Sequence, residues 1–259
     1  MAQTKKNGVP VHFHFHGCLV ELLARTRRGD GYTVSLARRT SIKDAVESQG
    51  VPHVEVGLLA LNGIPTDWKI LLAEEGRIDA WSVTDATSLP RTLRVDTPDP
   101  VPIRFLLDVH LGRLASYLRL IGMDTEYESQ DPGDERLAQR ASSESRILLS
   151  CDRGLLMRNI VLHGHLLRSR NSIEQAREVV DRYHLRDLAA PFTRCLACNS
   201  SLRAVEIDAI RDRIPPRVHR RLGNNPDRYR ICPGCGKLYW EGTHTARMRR
   251  LLAEWGIEG

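Results

Sequence analysis

RILLSCDRGLL, residues 146–156, decides how the chain is read. Ile147, Leu148 and Leu149 form a short apolar run that passes through Ser150 and Cys151 to an acid, Asp152. A run of that length reads as a buried strand. The stretch IRFLLDVH has the same form, with residues 103–107 as the strand and Asp108 at its end. Leu111, Leu114, Ala115, Leu118 and Ile121 follow at helical spacing, closed by Gly122. Then come a short strand (DTEYES), a turn (QDPGD) and a helix, DERLAQRASSES, with Asp134 near its start. After Asp152 the pattern predicts a helix over GLLMRNIVLH, a strand around HLLRS and a helix over NSIEQAREVVDRYH. Strand–helix alternation predicts a mostly parallel sheet with helices on its faces.

In such sheets ligands bind beyond the carboxyl ends of the strands. Asp108 and Asp152 are each the first acid after an apolar strand, and Asp134 can lean over the same crevice. Carboxylates gathered there repel unless a cation joins them, and oxygen-only ligands select Mg²⁺ or Mn²⁺. Such an ion binds a phosphodiester oxygen, lowers the pKa of an attacking water and stabilises the leaving oxygen. An aspartate after a strand can equally be a helix N-cap. Two strand-end acids plus one helix-start acid favour a site over three separate caps.

The chain has 259 residues, 38 Lys+Arg against 32 Asp+Glu and a net charge of +6. The excess is carried mostly by arginine, which suits phosphate contacts without proving them. No apolar run reaches membrane-span length, and MAQTKKNGVP lacks the apolar core of a signal peptide. The expected location is the cytoplasm. Four of the six cysteines form two Cys-x-x-Cys pairs, Cys195/Cys198 and Cys232/Cys235. That is the spacing of a structural zinc held by four thiolates. Cys18 and Cys151 are expected as buried thiols.

SLPRTLRVDTPDPVP, rich in proline, reads as an extended linker. The expected division is therefore 9–86, a linker at 87–102, 103–190 and 191–259. In the first part Val11, Phe13 and Phe15 alternate with His12, His14 and His16, which is strand periodicity. The histidines share one face and could chelate a metal, but an exposed strand face is the plainer explanation. A second strand (YTVSLAR), a helix capped by Thr40 or Ser41 and ending at Gly50, a strand with an Asn-Gly turn (VGLLALNGIP) and a last strand (GRIDAWSV) follow. This part resembles the ubiquitin-like β-grasp fold of the sulfur-carrier proteins of thiamine and molybdopterin synthesis. Those carriers end in a free Gly-Gly tail. Here the chain continues past Val83, which points to docking or scaffolding, with a possible protein partner.

DVHLGRLASYLRLIGMDTEY, the DERLAQRA helix and RILLSCDRGLL resemble the PIN-like RNase family named for the C-terminal domain of the Mut-seven exoribonuclease. That family carries a C-terminal zinc ribbon, and bacterial members often an N-terminal ubiquitin-like domain. The resemblance spans nearly the whole chain. It implies an α+β and α/β multidomain protein: a β-grasp, a PIN-like three-layer α/β/α domain with a mostly parallel sheet, and a ribbon. It places the family's acids on Asp108, Asp134 and, through a Thr/Ser-x-Asp motif, Ser150-Cys151-Asp152. Glu135 could substitute or help, and Ser150 and Arg153 could support catalysis. A fourth acid found in many PIN nucleases is missing from RGLLMRN, which offers only Asn159. His110 lies close to the first acid.

Arg113, Arg119 and Arg153 could meet RNA phosphates. Between the cysteine pairs, RDRIPPRVHRRLGNNPDRYR holds Arg211, Arg213, Arg217, Arg220, Arg221, Arg228 and Arg230. With Tyr229 nearby, this insertion suits single-stranded RNA, or is a solvated loop. Tyr239 and Trp240 are expected to brace the ribbon, and His244 to be structural or substrate-facing. The expectation is a metal-dependent ribonuclease with catalytic Mg²⁺ or Mn²⁺ and structural zinc. The alternative is a non-catalytic RNA-binding or ribosome-associated adaptor.

Overall fold

The computed structural model describes residues 8–258. Along the chain run β1 (Gly8–Phe15), β2 (Tyr32–Ala37), β3 (Thr40–Ser41), α1 (Ile42–Glu47), β4 (Val56–Leu61), β5 (Ile64–Pro65), β6 (Leu71–Leu72) and β7 (Gly76–Ser82). Next are β8 (Arg104–Leu107), α2 (Gly112–Leu120), β9 (Asp124–Tyr127), α3 (Asp134–Ser143), β10 (Ile147–Ser150), α4 (Arg153–Leu156), β11 (Gly164–Leu166) and α5 (Ser172–Arg182). The chain ends with β12 (Arg203–Ala204), α6 (Pro216–Leu222), β13 (Tyr229–Ile231), β14 (Leu238–Trp240) and α7 (Thr243–Glu254). Two compact units divide it: the chain up to Pro100 joins Pro132–Leu166, and Val101–Asp131 joins Leu167–Gly259.

In the first unit the sheet order is β2-β1-β7-β4-β5, with β1 parallel to β7 and the other pairs antiparallel. A parallel central pair flanked by antiparallel strands is the β-grasp arrangement expected from the sequence. Period-two alternation sends Val9, Val11, Phe13 and Phe15 into the core and leaves the histidines on the other face. Ser41 caps α1 by accepting from the Asp44 N–H, and Gly50 terminates that segment with φ +90°. The stretch after Ser88, expected as an extended linker, is fastened. Val95 donates its N–H to Gly57 and accepts from the Trp68 indole, while Arg91 and Arg94 both pair with Asp96.

This unit also contains α3, β10, α4 and β11, with β10 parallel to β11. The expected helix over GLLMRNIVLH shrinks to the four residues of α4. Ile160 and Leu162 are exposed, so the helical apolar stripe stops at Leu156, and the chain turns to bring Gly164 opposite Leu148. The segment from Arg153 to Leu166 is tied to the β-grasp. Arg153 donates to the Gly50 carbonyl (3.0 Å), Lys43 to that of Met157 (3.3 Å), and the His53 ring bonds that of Val161 (2.9 Å). Glu55, only 7% exposed, bonds the His165 ring (2.9 Å) and accepts from the Leu166 N–H (2.6 Å).

In the second unit β8 and β9 are parallel, Arg104 opposite Asp124 and Leu107 opposite Tyr127. Leu114, Ala115 and Leu118 of α2 are buried, as their spacing requires. The ribbon is a three-stranded antiparallel sheet, β12-β13-β14. The insertion is not the plain loop its composition allows. Ile207, Ile210, Ile214, Val218, Leu222 and Tyr229 form a core of their own, packed against Leu238 and Trp240.

Glu55→Ala removes the acceptor of the buried Leu166 N–H and one partner of the His165 ring. The cost should be about 2–3 kcal/mol, read as a lower urea midpoint, whereas Glu55→Gln, which keeps an acceptor, should lose less.

Candidate functional site

Every residue of β10 is buried, and the chain emerges at Cys151 and Asp152, both exposed. The exposure of Cys151 corrects the buried thiol expected there, and Cys18 is only half-buried. The fully buried Ser150 hydroxyl accepts from the Asp152 N–H at 2.9 Å, fixing the turn. Ser150 therefore shapes the strand end from a buried position. Asp152 Oδ1 accepts from the N–H groups of Gly154 (2.7 Å) and Leu155 (3.4 Å), an N-cap of α4. Its Oδ2 has no hydrogen bond or ion pair among the described residues. Capping and ligation are thus not alternatives for this carboxylate, because each can use a different oxygen.

Asp134 is the first residue of α3, which packs against α4. It is exposed, 3.8 Å from the Arg158 guanidinium, a solvent-screened pair that contributes little. Glu135 is exposed and accepts from the Gln139 amide at 3.2 Å. In the second unit, half-buried Asp108 follows β8. Its carbonyl accepts from the Leu111 N–H, and its carboxylate does not cap the turn that follows. Tyr127 donates to the Val109 carbonyl at 3.0 Å and pins that turn. A Cβ at Gly112 would lie 2.8 Å from the Tyr127 hydroxyl oxygen, so a side chain there would displace that ring. Sequence reading passed over half-buried Glu128. With Leu107 opposite Tyr127, Glu128 and Asp108 leave the same carboxyl edge of the β8–β9 pair. The signal was available only as a register between strands.

The four ribbon cysteines gather. Their Sγ atoms lie within 4.8 Å of one another, Cys195 3.6 Å from Cys235 and Cys198 3.3 Å from Cys232. A disulfide needs about 2.05 Å, whereas thiolates on zinc at about 2.3 Å stand roughly 3.8 Å apart. The donor set fits zinc. Ser200, bonding its sulfur, is the first cause that brings Cys198 down to about 6. Cys235 has a backbone hydrogen bond at Lys237 that favours its thiolate, yet neighbouring thiols, Cys232 first, and burial push it up to about 12. Four crowded thiols do not all ionise without a cation, which is the charge balance zinc provides. Tyr239, expected as a brace, accepts from the Leu196 N–H and bonds the Cys195 sulfur at 3.2 Å.

A family model described as the Mut7-C RNAse domain matches residues 103–252, more than half of the chain, and the Mut7-C ubiquitin model matches residues 8–87. The chain belongs to the Mut7-C RNase family. No curated protein matches it. Among solved structures, one described as molybdopterin converting factor, subunit 1, from Pyrococcus furiosus is 16% identical. It covers 29% of this chain and 97% of its own, with a TM-score of 0.23. The β-grasp assignment rests on the strand order and the ubiquitin-model match.

Within the Mut7-C RNase domain, the arginines expected to meet RNA separate into two kinds. Arg119 is buried. It donates to the carbonyls of Thr125 (2.9 Å), Leu196 (3.0 Å) and Ala197 (3.0 Å). It ties α2 and β9 to the first cysteine knuckle and is corrected to a structural residue. Arg113, Arg217, Arg220, Arg221, Arg228 and Arg230 are exposed. Arg153 is exposed too, with one nitrogen held by Gly50. Tyr229 is fully buried and donates to the Gly223 carbonyl, so it offers no ring to a base.

The Mut7-C ubiquitin-like domain shows a second cluster. The parallel register sets His14 opposite Asp79, with His12 opposite Arg77. His14, His16 and Asp79 place donor atoms within 4.8 Å of one another. Arg77 already supplies the cation: its fork donates twice to Asp79 at 2.8 Å and once to the His14 ring at 2.9 Å. Burial pushes Asp79 up, but Arg77 and then His16 outweigh it and hold the carboxyl low. No helix among the described residues is long and apolar enough to cross a membrane.

Stripping metal with a thiol-reactive mercurial should release one zinc per chain and melt the ribbon, with loss of structure by circular dichroism. Cys198→Ser should lower the zinc content to well below one. Full zinc in that variant would contradict the four-thiolate site.

Proposed function

We propose that the protein is a metal-dependent ribonuclease that hydrolyses phosphodiester bonds of single-stranded RNA. Asp108, Asp134 and Asp152 are its catalytic acids and the ligands of Mg²⁺ or Mn²⁺. The observation that carries this reading is the Asp152 carboxylate. It stands at the end of a buried strand of a Mut7-C RNase domain, anchored through Oδ1 with Oδ2 left over. Three carboxylates are oxygen-only ligands and suit a hard divalent ion. When bound, such an ion lowers the pKa of water and offsets charge on the leaving oxygen.

The chain's own residues do the rest. Ser150 and the α4 N–H groups hold Asp152 in one orientation, so little reorganisation is needed when substrate arrives. Glu128 is a candidate for the acid that residues 153–159 do not provide. Glu135 can assist Asp134, and Arg113 and the unoccupied part of the Arg153 fork can hold phosphates. The cytoplasm is the proposed location. The absence of an acid across Arg153–Asn159 favours a second reading, an RNA-binding or ribosome-associated adaptor without catalysis.

The test is cleavage of labelled single-stranded RNA by zinc-loaded protein with added Mn²⁺ or Mg²⁺. Asparagine caps helices as aspartate does, so Asp152→Asn should keep its melting temperature. Its rate should fall by at least about a hundredfold, about 2.7 kcal/mol of barrier. Asp108→Asn and Asp134→Asn should also lose activity, and Glu128→Gln should lose part of it. Wild-type cleavage by Asp152→Asn would sink the nuclease reading. Metal-independent binding without cleavage would support the adaptor.

A further inference from the structure

The second unit contains a cavity of about 1010 Å³ whose walls come from α6, β13, β14, the start of α7 and residues 191–202. We propose that this groove binds single-stranded RNA. The inference rests on the ribonuclease reading for the identity of the polymer and adds where the strand is held. Seven lining side chains are cationic and two, Asp227 and Glu241, acidic.

The cations are not equivalent. Arg194 is occupied with the carbonyls of Gly122 and Asn199. Arg228 and Arg249 share Glu241, and Arg221 donates to the Glu241 carbonyl. Arg217, Arg230 and Lys237 are exposed and carry no side-chain hydrogen bond or ion pair among the described residues. They are charges available to phosphates.

The interior of the groove is of a different kind. Leu196, Leu202, Val218, Leu238, Trp240 and Met248 line it, and all but buried Val218 are half-buried. A cationic rim over an apolar, aromatic floor matches unpaired nucleotides, whose phosphates meet arginine while their bases leave water against rings and methyl groups. A duplex keeps its bases stacked inside and can use only the rim. The volume stands at the upper end of the about 300–1,000 Å³ of ordinary small-molecule pockets.

The experiment measures fluorescence anisotropy of a labelled single-stranded RNA of about 12 nucleotides with the zinc-loaded full chain carrying Asp152→Asn, without Mg²⁺ or Mn²⁺. Arg217→Glu with Arg230→Glu should weaken binding at least tenfold. It should also flatten the dependence of log K on log salt by about 0.7 for each phosphate no longer neutralised. Trp240→Leu should weaken single-strand binding, with zinc content and circular dichroism checking the fold. Arg203→Glu, on the ribbon but outside the groove, should change nothing. Unaltered binding in the double variant would overturn the proposal. So would equal affinity for a duplex of the same sequence, or equal competition by polyglutamate. Groove-dependent binding by a protein that cleaves nothing would uphold the groove and sink the ribonuclease; cleavage with groove-independent binding would do the reverse.

Discussion

Four sulfur atoms drawn together without a covalent bond are the constraint on which the second unit depends. Their charge reaches beyond the knuckles. Burial opposes the charged form of Arg119, while Glu126 and then the thiolates of Cys195 and Cys198 favour it. A buried guanidinium is costly unless it is compensated. Here the compensation comes from Glu126, from the knuckle cysteines and from the carbonyls of Thr125, Leu196 and Ala197. Asn199, one residue past Cys198, continues the connection. Its side chain accepts from the Thr125 N–H and donates to Asp124 and Glu126. The ribbon therefore holds β9, and β9 is the partner in register with β8, which ends at Asp108. A motif that could have been a detachable appendage is part of what fixes one acid of the proposed site.

The ubiquitin-like domain has an analogous relation to Asp152. The contacts of Gly50, Lys43, His53 and Glu55 all fall on residues 153–166, the stretch that follows that acid. Most of them satisfy a backbone group, which a loop without regular secondary structure would otherwise present to the interior. The end of β7 is used as well: Val83 donates to the Glu55 carbonyl, and Val95 returns to Gly57. A sulfur carrier needs that end free. Here it is folded back, and the hydrogen bonds of the β-grasp to residues 153–166 tie it to the nuclease-family segment.

The periodic elements were legible in the sequence because their signals are local. Alternation at Val11–Phe15, the Asn-Gly turn at Asn62-Gly63, the α2 stripe and the cysteine spacing each depend on neighbours a few residues away. The failures share a different cause. Arg119 lies on a helix and looks like any exposed arginine until the knuckle, more than 70 residues on, covers it. Tyr229 looked available because the insertion's core, spread from Ile207 to Leu222, is too irregular to show a period. His14 and His16 showed no third ligand because Asp79 arrives by strand register. The three acids proposed for the metal site belong to the same long-range class: their places at strand ends and a helix start suggested them, and the roles proposed for them come from family resemblance.

Arginine composition also needs dividing by place before it bears on function. A net charge of +6 invites the view that every arginine attracts a polyanion. Arg119 and Arg194 spend their donors on backbone carbonyls, and Arg146 and Arg140 spend theirs on Glu144. Such side chains stabilise the fold and add little to the field a ligand meets at close range, where screening leaves only nearby uncompensated charge. Arg217, Arg230 and Lys237 differ because the insertion's own core pins their backbone while leaving their tips in solvent. Buried Tyr229 does this directly, for it sits in that core beside Arg230, and Val218 does the same beside Arg217. Lost as a stacking platform, Tyr229 instead belongs to the framework that keeps neighbouring cations pointed outward.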